Sequence, residues 1–479
     1  MTSIITRPAK LLSNALLLGL LTACAVGPDY QAPAQVESIA VNSEYKRAPA
    51  LQSWWGAFND EQLNTLISRA LEQNRTLREA SANVERARAV FSEADASLWP
   101  DGDLSVGYQA ARNTSLLPQD NGVTLRGYTS GLGFNWDADI FGKLQRAEEA
   151  AQAKAQEAAL LWQDTQLQII SQVVSSYGQY RGAQLRMFYA QMNLHFLQQS
   201  QAVIEAQVEA GSATKLALSQ INTQVYRLKT SIPAIEIARQ TAKSTLAALL
   251  ALPADALQLS GAAALPHLSE PLPVQDGVNY LRYRPDVASA ERNLAASTAQ
   301  IGVMTANLYP SLSVSGFLGF ISSPDLAFNS ASESWNIAPT LQWSGLNLGV
   351  TKARIRSAEA DAKIALAQYE QAVVDAVNEM QLSLQNYQFS REQFSNAKQQ
   401  YESSKQAVEY ARANYKAGTI EFLQLLDSER ELLSSRDQLT QIELAHFIRL
   451  VDVYRSFSGG LQWQQRSANM NAGEQITKR

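Results

Sequence analysis

Read in steps of seven, the stretch 366–418 alternates between two kinds of position. Leu366, Val373, Met380, Tyr387, Phe394, Tyr401, Val408 and Tyr415 are all large and mostly apolar, whereas three positions further on Ala376, Ser383, Ser390, Ala397, Ser404, Ala411 and Gly418 are all small. Large knobs set against small holes at this period predict a supercoiled seam with closely approaching backbones. A weaker version runs through Val173, Tyr180, Met187, Leu194 and Val208, interrupted by Gln201. The pattern as a whole predicts helices over about 60–98, 143–210 and 213–250, and again over about 278–308, 350–417 and 420–457. The longest would reach roughly 100 Å at about 1.5 Å per residue. The other helices are about half that length, so two of them end to end match one long helix. A wall of continuous and stacked helices would follow, with Ser/Thr/Gln/Asn-rich faces turned to a wet lumen. Composition alone is equally satisfied by a solid soluble bundle.

A second period, of two, appears in four short runs. Leu104, Val106, Tyr108 and Ala110 alternate with Asp103, Ser105, Gly107 and Gln109, and Leu132, Phe134 and Trp136 alternate with Gly131, Gly133, Asn135 and Asp137. Leu312, Val314, Gly316, Leu318 and Phe320 alternate mostly with serines and glycine, and Trp335, Ile337, Leu341 and Trp343 share one face. Strands are therefore expected at about 103–111, 125–137, 311–321 and 334–344. Runs of about ten residues have the length of tilted membrane strands. Four strands cannot close, and open edges do not survive in lipid, so several chains must pool theirs. Two chains give eight strands and three give twelve; only twelve leaves a plausible passage. Two soluble hairpins on a periplasmic protein are the alternative. Pro100 and Pro310 fall where helix gives way to strand, which fits a junction between helical and barrel segments.

The two sets of elements are copies. Trp136/Trp343, Gly142/Gly349 and Gly211/Gly418 share one spacing, 207 (343 − 136, 349 − 142 and 418 − 211). The Trp99-Pro100 and Tyr309-Pro310 pairs match at a slightly larger one. Such spacing marks an internal duplication. The first repeat occupies 60–252, the second 278–457, and a proline-rich linker with Pro253, Pro266, Pro271 and Pro273 spans 253–277; a tail, 458–479, follows.

The beginning of the chain adds an address. Arg7 and Lys10 precede an apolar run, Leu11–Leu21, too short to cross a bilayer, where about 20 residues are needed. The run ends in Leu21-Thr22-Ala23-Cys24, which looks like a lipoprotein signal peptide over 1–23 cut before Cys24. A cysteine placed by chance in an ordinary signal peptide is the other reading. Cys24 is the one cysteine, so it has no internal disulfide partner, and a covalent lipid gives it a purpose. Ala25 rather than Asp follows it, which implies outer-membrane sorting. Residues 24–59 then form an acylated N-terminal extended segment.

Charge and chemistry narrow the function. The chain is 46% hydrophobic and 18% charged with net charge −5, which argues against nucleic acid as partner. His195, His267 and His446 lie far apart without carboxylate or cysteine companions at ligand spacing. No phosphate-cradling loop, Gly-x-Ser-x-Gly elbow or His-Glu-x-x-His helix is present. No catalysis, cofactor or resident metal is expected, beyond the lipid on Cys24. With six methionines in all, no methionine-rich track favours soft-metal cargo.

These residues resemble the TolC/OprM outer-membrane factors, in the NodT-like lipoprotein branch of efflux proteins. The resemblance runs over Val26-Gly27-Pro28-Asp29-Tyr30, Trp54-Trp55-Gly56-Ala57-Phe58-Asn59-Asp60, Arg284-Pro285-Asp286-Val287 with Ala290-Glu291, and Tyr415-Lys416-Ala417-Gly418-Thr419 into Leu425-Leu426-Asp427. It implies a mainly α protein with a membrane β-barrel: a homotrimer whose twelve pooled strands are continued by a long coiled-coil helical barrel. It further implies a passive exit duct for small molecules such as drugs, served by a periplasmic adaptor and an inner-membrane proton-driven transporter of the RND type. The turns at Gly211 and Gly418, with Thr419, would be the periplasmic tips and adaptor contacts. Asp427 and Leu423 would form the periplasmic gate. Gln424 stands where some members carry a further acid. Ducts for metal ions or for type I secretion, and a pore-less lipid-anchored coiled-coil scaffold, are the rival readings.

Overall fold

The computed structural model describes residues 25–33, 54–113, 123–261, 264–266, 281, 284–323, 329–343 and 345–457. The expected signal peptide and Cys24, most of the linker and the C-terminal tail lie outside them. After a 3-10 turn at Trp54–Phe58 come α1 (Glu61–Gln73), α2 (Arg75–Ala96), β1 (Asp101–Asn113), β2 (Val123–Asp137), α3 (Lys143–Glu209) and α4 (Lys215–Leu249). The second half holds α5 (Pro285–Ala306), β3 (Ser311–Ser322), β4 (Glu333–Gln342), α6 (Leu348–Lys416) and α7 (Phe422–Ser456). The chain divides into two compact units, one with residues 1–34, 82–159 and 289–371, the other with 35–81, 160–288 and 372–479.

One expectation fails: the helix predicted over 60–98 is two helices, broken at Asn74. That residue takes extended angles (φ −60°, ψ 131°) and is 5% exposed. Its N–H donates to Ala70 O, closing α1. Its Oδ1 accepts from Leu77 N at 3.1 Å, opening α2, and its Nδ2 donates to Leu249 O at 2.9 Å, where α4 ends. One side chain thus satisfies backbone groups that helix ends leave without partners. The second-half helix expected from 278 is described from Pro285, a residue suited to a first helical position because its missing N–H costs nothing there.

In the first unit the strands form one antiparallel sheet in the order β1-β2-β3-β4, so the two hairpins of the duplication pair directly through β2 and β3. In the second unit α3 is the most enclosed element, with Ile170, Val173, Val174 and Tyr177 at 2% exposure or less. Trp54 stacks on Tyr454 at 4.7 Å and Phe58 packs on Phe447 at 5.1 Å, bringing the N-terminal turn onto α7.

The heptad seam of α6 is real and faces α7. From Val373 onward its small positions Ala376, Ser383, Ser390, Ala397, Ser404 and Ala411 are all buried. Their serines are tolerated because each hydroxyl returns to its own helix, for example Ser390 Oγ to Tyr387 O at 2.7 Å. Ser383 Oγ lies 2.7 Å from Ser456 Oγ, and Ser390 Oγ lies 2.8 Å from His446 Nδ1. The His446 ring is held between Tyr387 and Phe394, and burial, then Arg391, lowers its pKa, favouring the neutral imidazole. Leu366 is the exception at 37% exposure. In the first half Gln201, which interrupts the seam, donates to Asn222 Oδ1 of α4 at 2.8 Å. A satisfied polar pair of this kind fixes helix register.

Candidate functional site

Each sheet row can be read across the register. Leu104, Leu132, Leu318 and Trp335 form one row, and Gly102, Phe134, Gly316 and Ile337 the next on the same face. These apolar side chains are exposed, Leu104 at 73% and Trp335 at 70%. The opposite face carries Asp103, Gly133, Phe317 and Asn336 in one row and Ser105, Gly131, Gly319 and Ser334 in another. An apolar band on one side and a polar lining on the other is the division a sheet needs between lipid and water.

The duplication is exact in kind where helices meet this sheet. Leu98 and Leu308 end their helices in 3-10 turns just before Pro100 and Pro310. Trp136 Nε1 donates to Leu98 O at 3.2 Å, and Trp343 Nε1 donates to Leu308 O at 3.0 Å. Each tryptophan thereby caps a free carbonyl at the helix–sheet junction that its half's proline marks.

The turns predicted at Gly211 and Gly418 are also twins. Gly211 has φ +74° and Gly418 φ +75°, the left-handed conformation that glycine adopts without strain. In the first, Ser212 N donates to Gln207 O and Gly211 N to Val208 O; in the second, Thr419 N donates to Asn414 O and Gly418 N to Tyr415 O. Both are Schellman closures, and the Ser212 and Thr419 hydroxyls add a bond to the same carbonyls. The following helices start differently. Thr214 accepts from Ala217 N at 3.2 Å, whereas Glu421 makes no side-chain cap.

Leu423 and Asp427 lie one turn apart at the start of α7 and face solvent in the protomer. Leu423 is 43% exposed, and Asp427 pairs with Arg430 of its own helix at 3.3 Å, both side chains about half exposed. Leu426 between them points the other way, into a cluster with Leu197, Ile204, Ile221 and Val225. The first turns of α7 are therefore anchored by one face while presenting an acid and a leucine on the other.

Two buried polar joints escape a sequence reading because their partners are far apart along the chain. Arg181 donates to Tyr177 Oη, Gln62 Oε1 and Ser260 O, while Tyr177 Oη donates to Asp60 Oδ2. Burial, then the bond to Asp60, pushes the Tyr177 phenol up to about 12. The second joint centres on Arg284, whose Nη1 donates to Ser456 O at 2.8 Å and whose other nitrogens meet Asp286 (3.0 and 2.6 Å) and Glu379 (2.7 Å). Arg455 holds the other Glu379 oxygen at 2.7 Å. Burial pulls the Arg284 pKa down, but Asp286 and Glu379 more than reverse it. A cleft of roughly 190 Å³ opens here, lined also by Asp164 and Gln168 of α3. Burial, then the charge of Asp286, raises the Asp164 carboxyl, against Gln168, Arg284 and Arg455. The Arg-Pro-Asp motif signalled the charged partners; nothing signalled Asp164.

Cys24 lies outside the described residues, but those that follow it are docked. Val26 N donates to Phe141 O at 3.2 Å. Arg146 reaches Val26 O and the Asp29 carboxylate, and Tyr30 Oη donates to Glu291 at 2.9 Å. Among the described residues no group of three or more His, Cys, Asp or Glu side chains could hold a metal ion, and no helix is long and apolar enough to cross a membrane.

Comparison with known proteins returns the two halves of the duplication. The sequence profile of the outer membrane efflux protein family matches residues 66–252 and again 278–459. The cation efflux system protein CusC of Escherichia coli O157:H7 is 31% identical over 466 residues, 96% of this chain and all of that protein. Nodulation protein T of Rhizobium leguminosarum bv. viciae is 27% identical over 433 residues, 89% of each chain. The solved outer-membrane channel OprN superposes with a TM-score of 0.86 at 34% identity, over 91% of this chain and 99% of its own.

Proposed function

The chain belongs to the outer membrane efflux protein family, and from that premise we propose how it works as the outer-membrane duct of a tripartite efflux pump. Three copies pool their sheets into a twelve-stranded barrel, continued by a tunnel of helices. The observation that carries this reading is the sheet itself: an apolar exposed face, a polar opposite face, and two open edges at β1 and β4. Only closure with other copies satisfies those edges in lipid. The duct is passive and not an enzyme. Its energy comes from an inner-membrane transporter of the RND type, passed on through a periplasmic adaptor that docks near Gly211, Gly418 and Thr419. Three copies of Leu423 and Asp427 narrow the periplasmic end, and adaptor binding favours the open of two states. Lipid on Cys24 adds an anchor beside the docked segment 25–33. The likeness to a cation efflux protein makes metal ions the second candidate cargo, ahead of secreted protein.

Native mass spectrometry of the detergent-extracted protein tests the assembly: a triacylated trimer starting at Cys24 is expected, and an unlipidated monomer would end the shared-barrel reading. Planar-bilayer recording tests the gate. Asp427→Ala should raise resting conductance, and a variant indistinguishable from wild type would remove Asp427 from the gate.

A further inference from the structure

We propose that the lumenal face of each protomer's sheet carries a subsite for lipophilic organic cations, made by the Phe317 ring and the Asp103 carboxylate over a bed of glycines. The proposal rests on the duct reading above, which makes the polar face of the sheet the channel lining.

The register puts the two side chains in one row on that face. Asp103 pairs with Gly133 and Gly133 with Phe317, so a residue without a side chain separates them. Neighbouring rows hold Ser105, Gly131, Gly319 and Ser334 on one side and Asp101, Asn135, Ser315 and Ala338 on the other. Phe317 is thus a large ring set in a lining of small and polar groups. It is half-buried because it lies down: a methyl group added at Gly131 or Gly319 would meet the ring. The Asp103 carboxylate leans over β2 from the other side, onto Gly133. With strands about 4.8 Å apart, the backbones of β1 and β3 stand about 10 Å from each other. Ring and carboxylate cover neighbouring glycines of β2, the ring Gly131 and the carboxylate Gly133, so an aromatic face and a negative charge lie side by side on that surface for a cation to rest on.

The chemistry of such a site is specific in kind. A ring face attracts a cation within about 6 Å of its centre, and bulky organic cations also gain from apolar contact with the ring. A carboxylate on a low-dielectric wall concentrates cations near it. Ile321, on the same face and 52% exposed, extends the apolar surface one side chain further. The lipid-facing side provides a control within the sheet. There the Phe134 ring covers Gly316 in a row of apolar neighbours, a packing device with no charge beside it. Packing alone accounts for a ring over a glycine; it does not account for one placed on the wet face beside an acid.

The test is block of single-channel current by tetraphenylphosphonium applied to the trimer in a planar bilayer. Wild type should show brief interruptions, and Phe317→Ser should shorten them by roughly tenfold. Phe317→Tyr should keep them, and Asp103→Asn should shorten them while lowering the preference for potassium over chloride. If Phe317→Ser fails to assemble, Phe317→Leu keeps the bulk without the ring face and must still shorten the block. A wild-type channel that conducts without interruption, or variants blocked as long as wild type, would overturn the subsite and leave the duct standing. A trimer that carries no current, both as wild type and with Asp427→Ala to open its periplasmic end, would overturn the duct and the subsite together.

Discussion

In the first half, Asn74 stands before α2 and donates its side-chain amide to Leu249 O at the end of α4; in the second, Arg284 stands before α5 and donates its guanidinium to Ser456 O at the end of α7. The two donors are 210 residues apart (284 − 74) and the two acceptors 207 (456 − 249), the same spacings that relate the helix–strand prolines and the strand tryptophans. The duplication therefore kept a joint and changed the group that makes it. What stayed fixed is the need: a buried helix end exposes a carbonyl that must find a donor. What changed is the company. A neutral amide closes the joint by itself, whereas the guanidinium brings Asp286, Glu379 and Arg455 with it and opens a charged cleft toward Asp164.

The largest effect should come from cutting the charged joint. Arg284→Ala leaves Asp286 and Glu379 without their shared cation and Ser456 O without a donor. Removing one partner of a buried ion pair costs about 3–5 kcal/mol, and since both acids are about a third exposed the lower end applies. The observable is the apparent midpoint of thermal trimer dissociation at fixed scan rate, since such proteins unfold irreversibly. Arg284→Asn sharpens the comparison by installing the first half's group in the second. It should stay close to Arg284→Ala, because it restores a donor but no countercharge; wild-type stability would mean the charges are dispensable.

Asn74→Ala should cost less, about 1–3 kcal/mol, the penalty for leaving buried backbone groups at Leu77 and Leu249 unpaired. Asn74→Asp separates the two roles, keeping the acceptor for Leu77 N and losing the donor for Leu249 O. A loss as large as that of Arg284→Ala would show that the neutral joint bears as much as the charged one.

The charged joint alone should make stability depend on pH. The folded-state pKa of Asp164 lies above its unfolded value, through burial first and Asp286 second. The folded state then binds the proton more tightly, so stability falls as pH rises from the ordinary carboxylate range through the raised value. The groups facing Asp164 are Asp286, Arg284, Glu379 and Arg455, with Gln168 on its own helix. Asp164→Asn should raise the midpoint at neutral pH and leave it unchanged in acid. Parallel pH profiles for wild type and Asp164→Asn would deny the cleft this role.

These joints also mark the limit of what the sequence conveys. Periodic features were legible: the seven-residue seam of α6, the alternation that separates the sheet's faces, and the repeat spacing that pairs Trp136 with Trp343. Each is written in neighbouring residues. Asn74 was not, because it sits in a polar run, Glu72-Gln73-Asn74-Arg75, with no glycine or proline to mark the break, and its acceptor lies 175 residues away. Tyr177 and Arg181 carry no local mark of the joint they make, because Asp60 and Ser260 come to them from far along the chain. Phe317 was hidden for the opposite reason: a strand read by its apolar alternation treats the intervening positions as lining, and one ring among serines and glycines goes uncounted.

The tips provide the smallest test, because there the halves agree in closure and differ in one cap. Gly211 and Gly418 share φ and bonding, so Gly211→Ala and Gly418→Ala should cost the same, about 1 kcal/mol each for a left-handed residue with a Cβ. The caps should not match. Thr214→Ala removes the acceptor for Ala217 N and should cost about 1 kcal/mol, while Glu421→Ala removes no cap bond and should cost close to nothing. Hydrogen exchange at the first turns of α4 and α7 reads these differences locally, where a whole-trimer midpoint would dilute them. The expected pattern is faster exchange at Ala217 on Thr214→Ala and unchanged exchange at Gln424 on Glu421→Ala, because Gln424 N donates to the Glu421 carbonyl at 3.1 Å, a bond that the substitution keeps. That asymmetry leaves the start of the helix that carries Leu423 and Asp427 held by backbone bonds alone, with Gln424 N and Leu425 N both on the Glu421 carbonyl. Faster exchange at Gln424 in Glu421→Ala would show that a side chain holds the second turn after all, and unchanged exchange at Ala217 in Thr214→Ala would deny the first turn its cap.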